Sequence, residues 1–401
     1  MTRSLRRNAC GWTLGLMAVL ALGFEIQSSG QGAPRPQAIP LCAGLTIVTA
    51  VADRRGDYES IKRIESVTAD AVRLHYSSER PVRDFLDDRD TGKIERTNVT
   101  RTFRRADLER AHAYLQQFSP RLPETSAGTT AIGASADVLN ELKTKGQTTL
   151  TVFQAFVGPG PFGNPLEREP GTVDYRLSGT VKRIEPGTVS IPVIVNDQRV
   201  TLPSIHAGGL LAIEQSEFYF LDDPANPLTL RFTIGRDQLN VVKIAHPPCG
   251  PPAAREGGPT SSANNPGRLP QASATSGTAP QIEQALAANG RADVYGIYFD
   301  FGSATIKAES EPVLQDIASI LAKNVAWKLR VNGHTDNIGG DPYNLDLSNR
   351  RAAAVKQALV SRYRVAADRL ATAGFGASQP KESNATLEGR ARNRRVELVR
   401  Q

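Results

Sequence analysis

An α+β protein built in two parts is the fold class this sequence predicts, and three observations predict it. Strand-like runs fill residues 41–249, with only two helical stretches among them. A Pro/Gly/Ser-rich tract follows at 250–281. Beyond it, residues 292–401 carry strand and helix patterns in turn. The length, 401 residues, suits two or three domains. A net charge of +7 fits several polyanions and so decides little; nucleic acid is not an expected partner.

Residues 1–30 read as an export signal. Arg3, Arg6 and Arg7 form a basic start, Cys10 to Phe24 is apolar, and Ser28-Ser29-Gly30 offers small residues for cleavage. The apolar run is short for a membrane span, which needs about 20 residues. An uncleaved anchor is the alternative. The residues before Cys42 are Ile39-Pro40-Leu41, which do not suit lipid attachment.

An exported chain without its signal keeps Cys42 and Cys249, at the two ends of the strand-rich part. In an oxidising compartment such a pair is expected to form a disulfide; two free thiols are the other reading. No Cys-x-x-Cys or paired His lies nearby, so neither metal nor cofactor is expected.

Within 43–248, strands are predicted at 45–51, 71–76, 149–156, 175–181, 189–195, 199–203, 217–221 and 228–234. Helices are predicted at 106–118 and 135–145. Lys-Arg-Ile-Glu occurs at 62–65 and at 182–185, and Phe-Leu-Asp-Asp at 85–88 and 220–223, a hint of duplication. Aromatic content of 6% and the two helices argue against a transmembrane barrel here. The histidines are scattered and form no catalytic constellation, and no motif names a family for this part. Residues 250–281 have the composition of a disordered tether that leaves the orientation of the flanking domains free.

The last part carries the clearest chemistry. Strands are predicted at 295–301, 327–334, 370–374 and 394–399. Ser310 is expected to cap a helix whose Val313, Ile317, Ile320 and Leu321 face a sheet. Asn337-Ile338-Gly339-Gly340 reads as a loop, with Asp341 as the N-cap of a helix to about Arg362. Leu345, Ala352, Val355 and Leu359 are its apolar positions. Asp336 falls just past the carboxyl end of a strand, where ligands of αβ layers tend to bind. Asn344, Ser348 and Arg351 share one helical face. A loop acid facing a helix arginine across a small cleft suits a zwitterion.

HTDNIG followed by YNLDLSNRRAAAV resembles the OmpA-like domain, shared by outer-membrane protein A, peptidoglycan-associated lipoproteins and flagellar stator proteins. The matching residues are Thr335, Asp336, Gly339, Asn344, Leu347, Ser348, Arg351, Ala352 and Val355. The flanks YFDFGSATIK at 298–307, GFGASQP at 374–380 and GRARNRRVEL at 389–398 match too. The resemblance implies a mixed sheet of about four strands backed by helices. It further implies that Asp336 and Arg351 hold the diaminopimelate of a peptidoglycan stem peptide. Thr335, Asn344, Leu347, Ser348, Gly302 and Arg394 would complete the site. The expected protein is therefore a non-catalytic peptidoglycan anchor, exported to the periplasm and outer membrane of a Gram-negative envelope. Outer-membrane or envelope proteins are candidate partners of the N-terminal part. A wall-targeted enzyme with its active site in that part, and a stator-like motor component with an uncleaved anchor, are the competing readings.

Overall fold

Both faces of the first strand are buried, and that organises the molecule. The computed structural model describes residues 38–53, 56–83, 90–115, 118, 124–125, 127–155, 174–249 and 279–401. The expected export signal, most of the expected tether, and the first Phe-Leu-Asp-Asp lie outside the described residues. No helix among the described residues is long and apolar enough to cross a membrane.

In chain order the N-terminal lobe comprises β1 (Thr46–Asp53), β2 (Gly56–Val67), β3 (Ala71–Arg83), β4 (Asp90–Arg104), α1 (Arg105–Arg110), β5 (Ala113–Leu115), α2 (Ala136–Thr144), β6 (Gln147–Ala155), β7 (Asp174–Arg183), β8 (Val189–Val195), β9 (Gln198–Leu211), β10 (Glu214–Leu221), β11 (Thr229–Ile234) and β12 (Asp237–Ala245). They form a twelve-stranded sheet running β4-β3-β2-β1-β12-β11-β10-β9-β7-β6-β5. β8 lies off that path, parallel to β12 and antiparallel to β9, so β8 to β12 close into a ring. Lys62–Glu65 lies in β2, and Lys182-Arg183 ends β7; both strands are the second of an antiparallel hairpin. The expected Cys42–Cys249 disulfide is present, with the Cα atoms 6.4 Å apart.

The C-terminal lobe comprises α3 (Ala279–Asn289), β13 (Arg291–Val294), α4 (Glu311–Lys323), β14 (Leu329–Gly333), α5 (Asp341–Tyr363), β15 (Leu370–Gly374), α6 (Leu387–Asn393) and β16 (Val396–Arg400). Its four-stranded sheet runs β13-β16-β14-β15, with β14 and β15 parallel and the other pairs antiparallel. The sheet packs on α3, α4 and α5 through Ile282, Leu286, Ile317, Leu321, Val355 and Leu359.

Several expected elements are corrected. The helix expected over 106–118 stops at Arg110, because Ala113–Leu115 pairs with β6 and buries Tyr114 and Leu115. Tertiary pairing overrides helix propensity there. The strand expected at 295–301 lies earlier, at β13. Beyond Val294 the backbone bonds leave the sheet: Tyr295 N–H donates to Asp197, and Tyr298 bonds Ser310 Oγ. Gly340, with φ of 82°, caps α5 in place of Asp341, since the reversal into the helix takes positive φ. Leu345 is exposed on α5, and Leu347 takes its expected place inside. The end of the expected tether, Ala279–Gln281, begins α3.

β1 explains how the lobes meet. Leu45 and Ile47 enter the N-terminal core, while Val48 and Ala50 pack with Tyr298, Leu387 and Ala391 of the C-terminal lobe. The orientation of the lobes is thus fixed by a shared apolar patch. Ion pairs ring it: Asp57 with Arg390, Arg199 with Glu382, and Arg231 with Glu388.

Candidate functional site

The loop after β14 and the first turns of α5 build the site. Gly333 ends β14 where α5 crosses it; a Cβ there would stand 2.2 Å from the Ser348 carbonyl oxygen. Gly374 on β15 meets the same turn, with a would-be Cβ 2.6 Å from Ser348 Oγ. Both strands therefore lie against the backbone of the helix. Gly333→Ala must push α5 off the sheet, and overpacking of this kind costs about 1–3 kcal/mol or more. Urea unfolding should show that loss, whereas Gly340→Ala meets no atom within 4 Å and carries only the strain of positive φ.

The loop is tied from within. Thr335 N–H donates to Gly376 carbonyl at 2.9 Å, and its hydroxyl donates to Asp336 carbonyl at 2.8 Å. Asn344 Nδ2 donates to the carbonyls of Asp336 and Ile338. Ser348 Oγ accepts from Gly376 N–H at 2.9 Å. Thr335, Asn344 and Ser348 are buried and hold the loop in shape, so their side chains act on geometry first.

Asp336 accepts from Ile338 N–H at 3.0 Å through Oδ1, and from Arg394 through Oδ2. Its ion-pair partner is thus Arg394 and not Arg351. Arg351 Nε donates to Ser303 carbonyl at 2.9 Å, and its Nη2 to Asp300 carbonyl at 3.4 Å. Its guanidinium lies over the Phe299 ring, 4.8 Å from the centroid. No carboxylate among the described residues lies within salt-bridge distance of it. Burial and the neighbouring Arg394 lower its pKa to about 10.

Arg394 also crosses the lobe boundary, its Nη2 donating to Glu59 of β2 at 2.6 Å. Lys243 Nζ of β12 stands 4.0 Å from the same Glu59 oxygen. Burial disfavours the charged forms of both partners. Even so, Arg394 and Lys243 hold the Glu59 carboxyl down at about 2, and Glu59 and Asp336 raise the Arg394 pKa. Glu79 of β3 accepts from Phe301 N–H at 2.6 Å and pairs with Lys307, pinning the segment that carries Gly302. Gly302, φ 62°, accepts from the Tyr343 hydroxyl at 3.3 Å.

These groups line a cavity of about 470 Å3 between the lobes. Thr335, Asp336, Asn344, Leu347, Arg351, Arg394 and Gly302 all reach it, and Ser348 does not. Glu59, Glu79 and Lys243 line it from the N-terminal lobe. No local pattern points to these three, because they stand on strands remote from the loop. Their one signal was polarity inside otherwise strand-like stretches.

Residues 298–394 match the OmpA family. Outer membrane porin F of Pseudomonas aeruginosa is 43% identical over 101 residues, which are 25% of this chain and 29% of that protein. Peptidoglycan-binding protein ArfA of Mycobacterium tuberculosis is 39% identical over 134 residues, 33% of this chain and 40% of that one. Among solved structures, the peptidoglycan-associated lipoprotein from Burkholderia pseudomallei shares 32% identity, covering 26% of this chain and 88% of that chain, with a TM-score of 0.25. The chain therefore spans less than half the length of these two curated relatives.

Proposed function

We propose, on the premise that residues 298–394 form an OmpA-like domain, that this protein is a non-catalytic anchor of the bacterial cell envelope. It binds peptidoglycan through the zwitterionic end of a diaminopimelate residue in the stem peptide. Residues 1–30 direct export, and residues 41–249 hold the wall-binding domain at the outer membrane or in the periplasm. The observation that carries this reading is Arg351. Two of its nitrogens are oriented by backbone carbonyls, and its guanidinium lines a cavity without a carboxylate partner among the described residues. A planar cation held in that way selects a carboxylate, which it can take through a fork of two hydrogen bonds. Similarity to a protein named for peptidoglycan binding supports peptidoglycan as the polymer bound.

Co-sedimentation of the full chain with purified sacculi is the test. Arg351→Lys should weaken retention roughly ten- to a hundredfold, the worth of one or two charge-assisted hydrogen bonds. Asp336→Asn should weaken it by a similar factor, by releasing Arg394 and loosening the Ile338 turn. Retention equal to wild type in both folded variants overturns the reading.

A further inference from the structure

The charges around the cavity do not pair off within the C-terminal lobe. Asp336 is the acid expected to meet a ligand ammonium, yet each of its oxygens already has a partner, Ile338 N–H and Arg394. Its side chain is 10% exposed. Glu59 differs. Its Oε1 meets Arg394 and Lys243, but its Oε2 has no hydrogen-bond partner among the described residues, and its side chain is 26% exposed in the cavity it lines. Arg351 lines the same cavity. The two lie beyond salt-bridge distance of each other. An acid oxygen and a guanidinium that line one cavity, the first without a hydrogen-bond partner and the second without a carboxylate among the described residues, are the two poles a zwitterion bridges.

Building on the proposed stem-peptide site, we infer that the site is shared between the lobes: Glu59 of β2 accepts the ammonium of the ligand whose carboxylate Arg351 takes. Asp336 then serves as a positioning residue that holds Arg394 and the loop. The alternative role for Glu59 is a plug that imitates the ligand and blocks the site. A plug would place its carboxylate on the cation that lacks one. Glu59 instead lies on Arg394, which Asp336 already neutralises in part, and it leaves Arg351 open. The cavity, about 470 Å3, falls within the roughly 300–1,000 Å3 of small-molecule sites. It suits the end of one amino acid with its neighbour and is too small for a glycan strand. The ligand therefore enters as a peptide tip, with the polymer remaining outside.

The probe is the tripeptide L-alanyl-γ-D-glutamyl-meso-diaminopimelate, titrated calorimetrically into the full chain. A second copy of the peptide carries an acetyl group on the free amine of the diaminopimelate side chain. Wild type should lose about tenfold or more in affinity on acetylation, the worth of one charged hydrogen bond. Glu59→Gln should bind the unmodified peptide weaker by a similar factor and should no longer distinguish the two peptides. Glu388→Gln removes an ion pair between the lobes away from the cavity and should leave both affinities near wild type. Glu59→Gln that keeps the full acetylation penalty, or binds as tightly as wild type or tighter, overturns the assignment. So does a Glu388→Gln variant that weakens as much as Glu59→Gln, because loosened docking then explains both. Arg351→Lys separates this inference from the reading it rests on. If that variant binds like wild type, or wild type binds neither peptide, the stem-peptide site itself is wrong.

Discussion

Reducing the disulfide, or replacing Cys42 and Cys249 together by serine, should lower the unfolding free energy by about 2–5 kcal/mol. The bond closes a loop with a sequence separation of 207. Loop-closure entropy grows only logarithmically with length, so so long a loop approaches the top of that range, on the order of 5 kcal/mol. The effect belongs mainly to the unfolded chain. In the native state the same ends are already joined by the β1–β12 ladder, from Thr46↔Ala245 to Ala52↔Gln238. The denaturant slope should therefore rise on reduction, since the released unfolded chain exposes more surface. Guanidinium unfolding with and without dithiothreitol measures both quantities. An unchanged midpoint would show that the ladder alone constrains the ends in both states.

Lys62→Met should stabilise the protein by about 1–4 kcal/mol at pH 7, the usual gain when a buried ion is replaced by an apolar side chain. Lys62 is buried in β2; its Nζ donates to Ala131 carbonyl at 3.0 Å and lies 5.2 Å from the centre of the Phe118 ring. No carboxylate among the described residues pairs with it. Burial lowers its pKa from 10.5 to about 7. A lowered lysine favours the neutral form in the folded state. Its destabilisation is absent above the unfolded value near 10.5, grows as the pH falls from there towards 7, and levels off below 7. The advantage of Lys62→Met should accordingly be large at pH 7 and vanish near pH 11. A constant difference across that range would mean that packing, not charge, sets the effect.

Much of the C-terminal lobe was legible in the sequence. β15 falls on its expected residues, and the four positions of α4 expected to face the sheet, Val313, Ile317, Ile320 and Leu321, are all buried. The reason is local: turn glycines and a helical period coincide there. β2, β4 and β12 were missed. Their charged residues break the apolar alternation, and in β2 Asp57 and Glu59 point towards the other lobe. The run Thr46–Ala52 did carry an unused signal, since a strand that is mostly apolar and free of charge is one that is covered on both faces. Asp336 and Arg351 were found from a single stretch. Arg394 followed from the flanking match, but Glu59 did not, because it meets Arg394 across a separation of 335 residues, which no local pattern encodes.

The clasp between Cys42 and Cys249 has a mechanical consequence. On the proposed anchoring function the chain is a load-bearing tether, pulled between whatever holds it before Cys42 and whatever grips it after Cys249. With the two cysteines joined, that pull passes through one sulfur–sulfur bond from one side to the other. The twelve strands between them hang beside the line of tension. They can stay folded under forces that would unzip the β1–β12 ladder of a reduced chain from its open end.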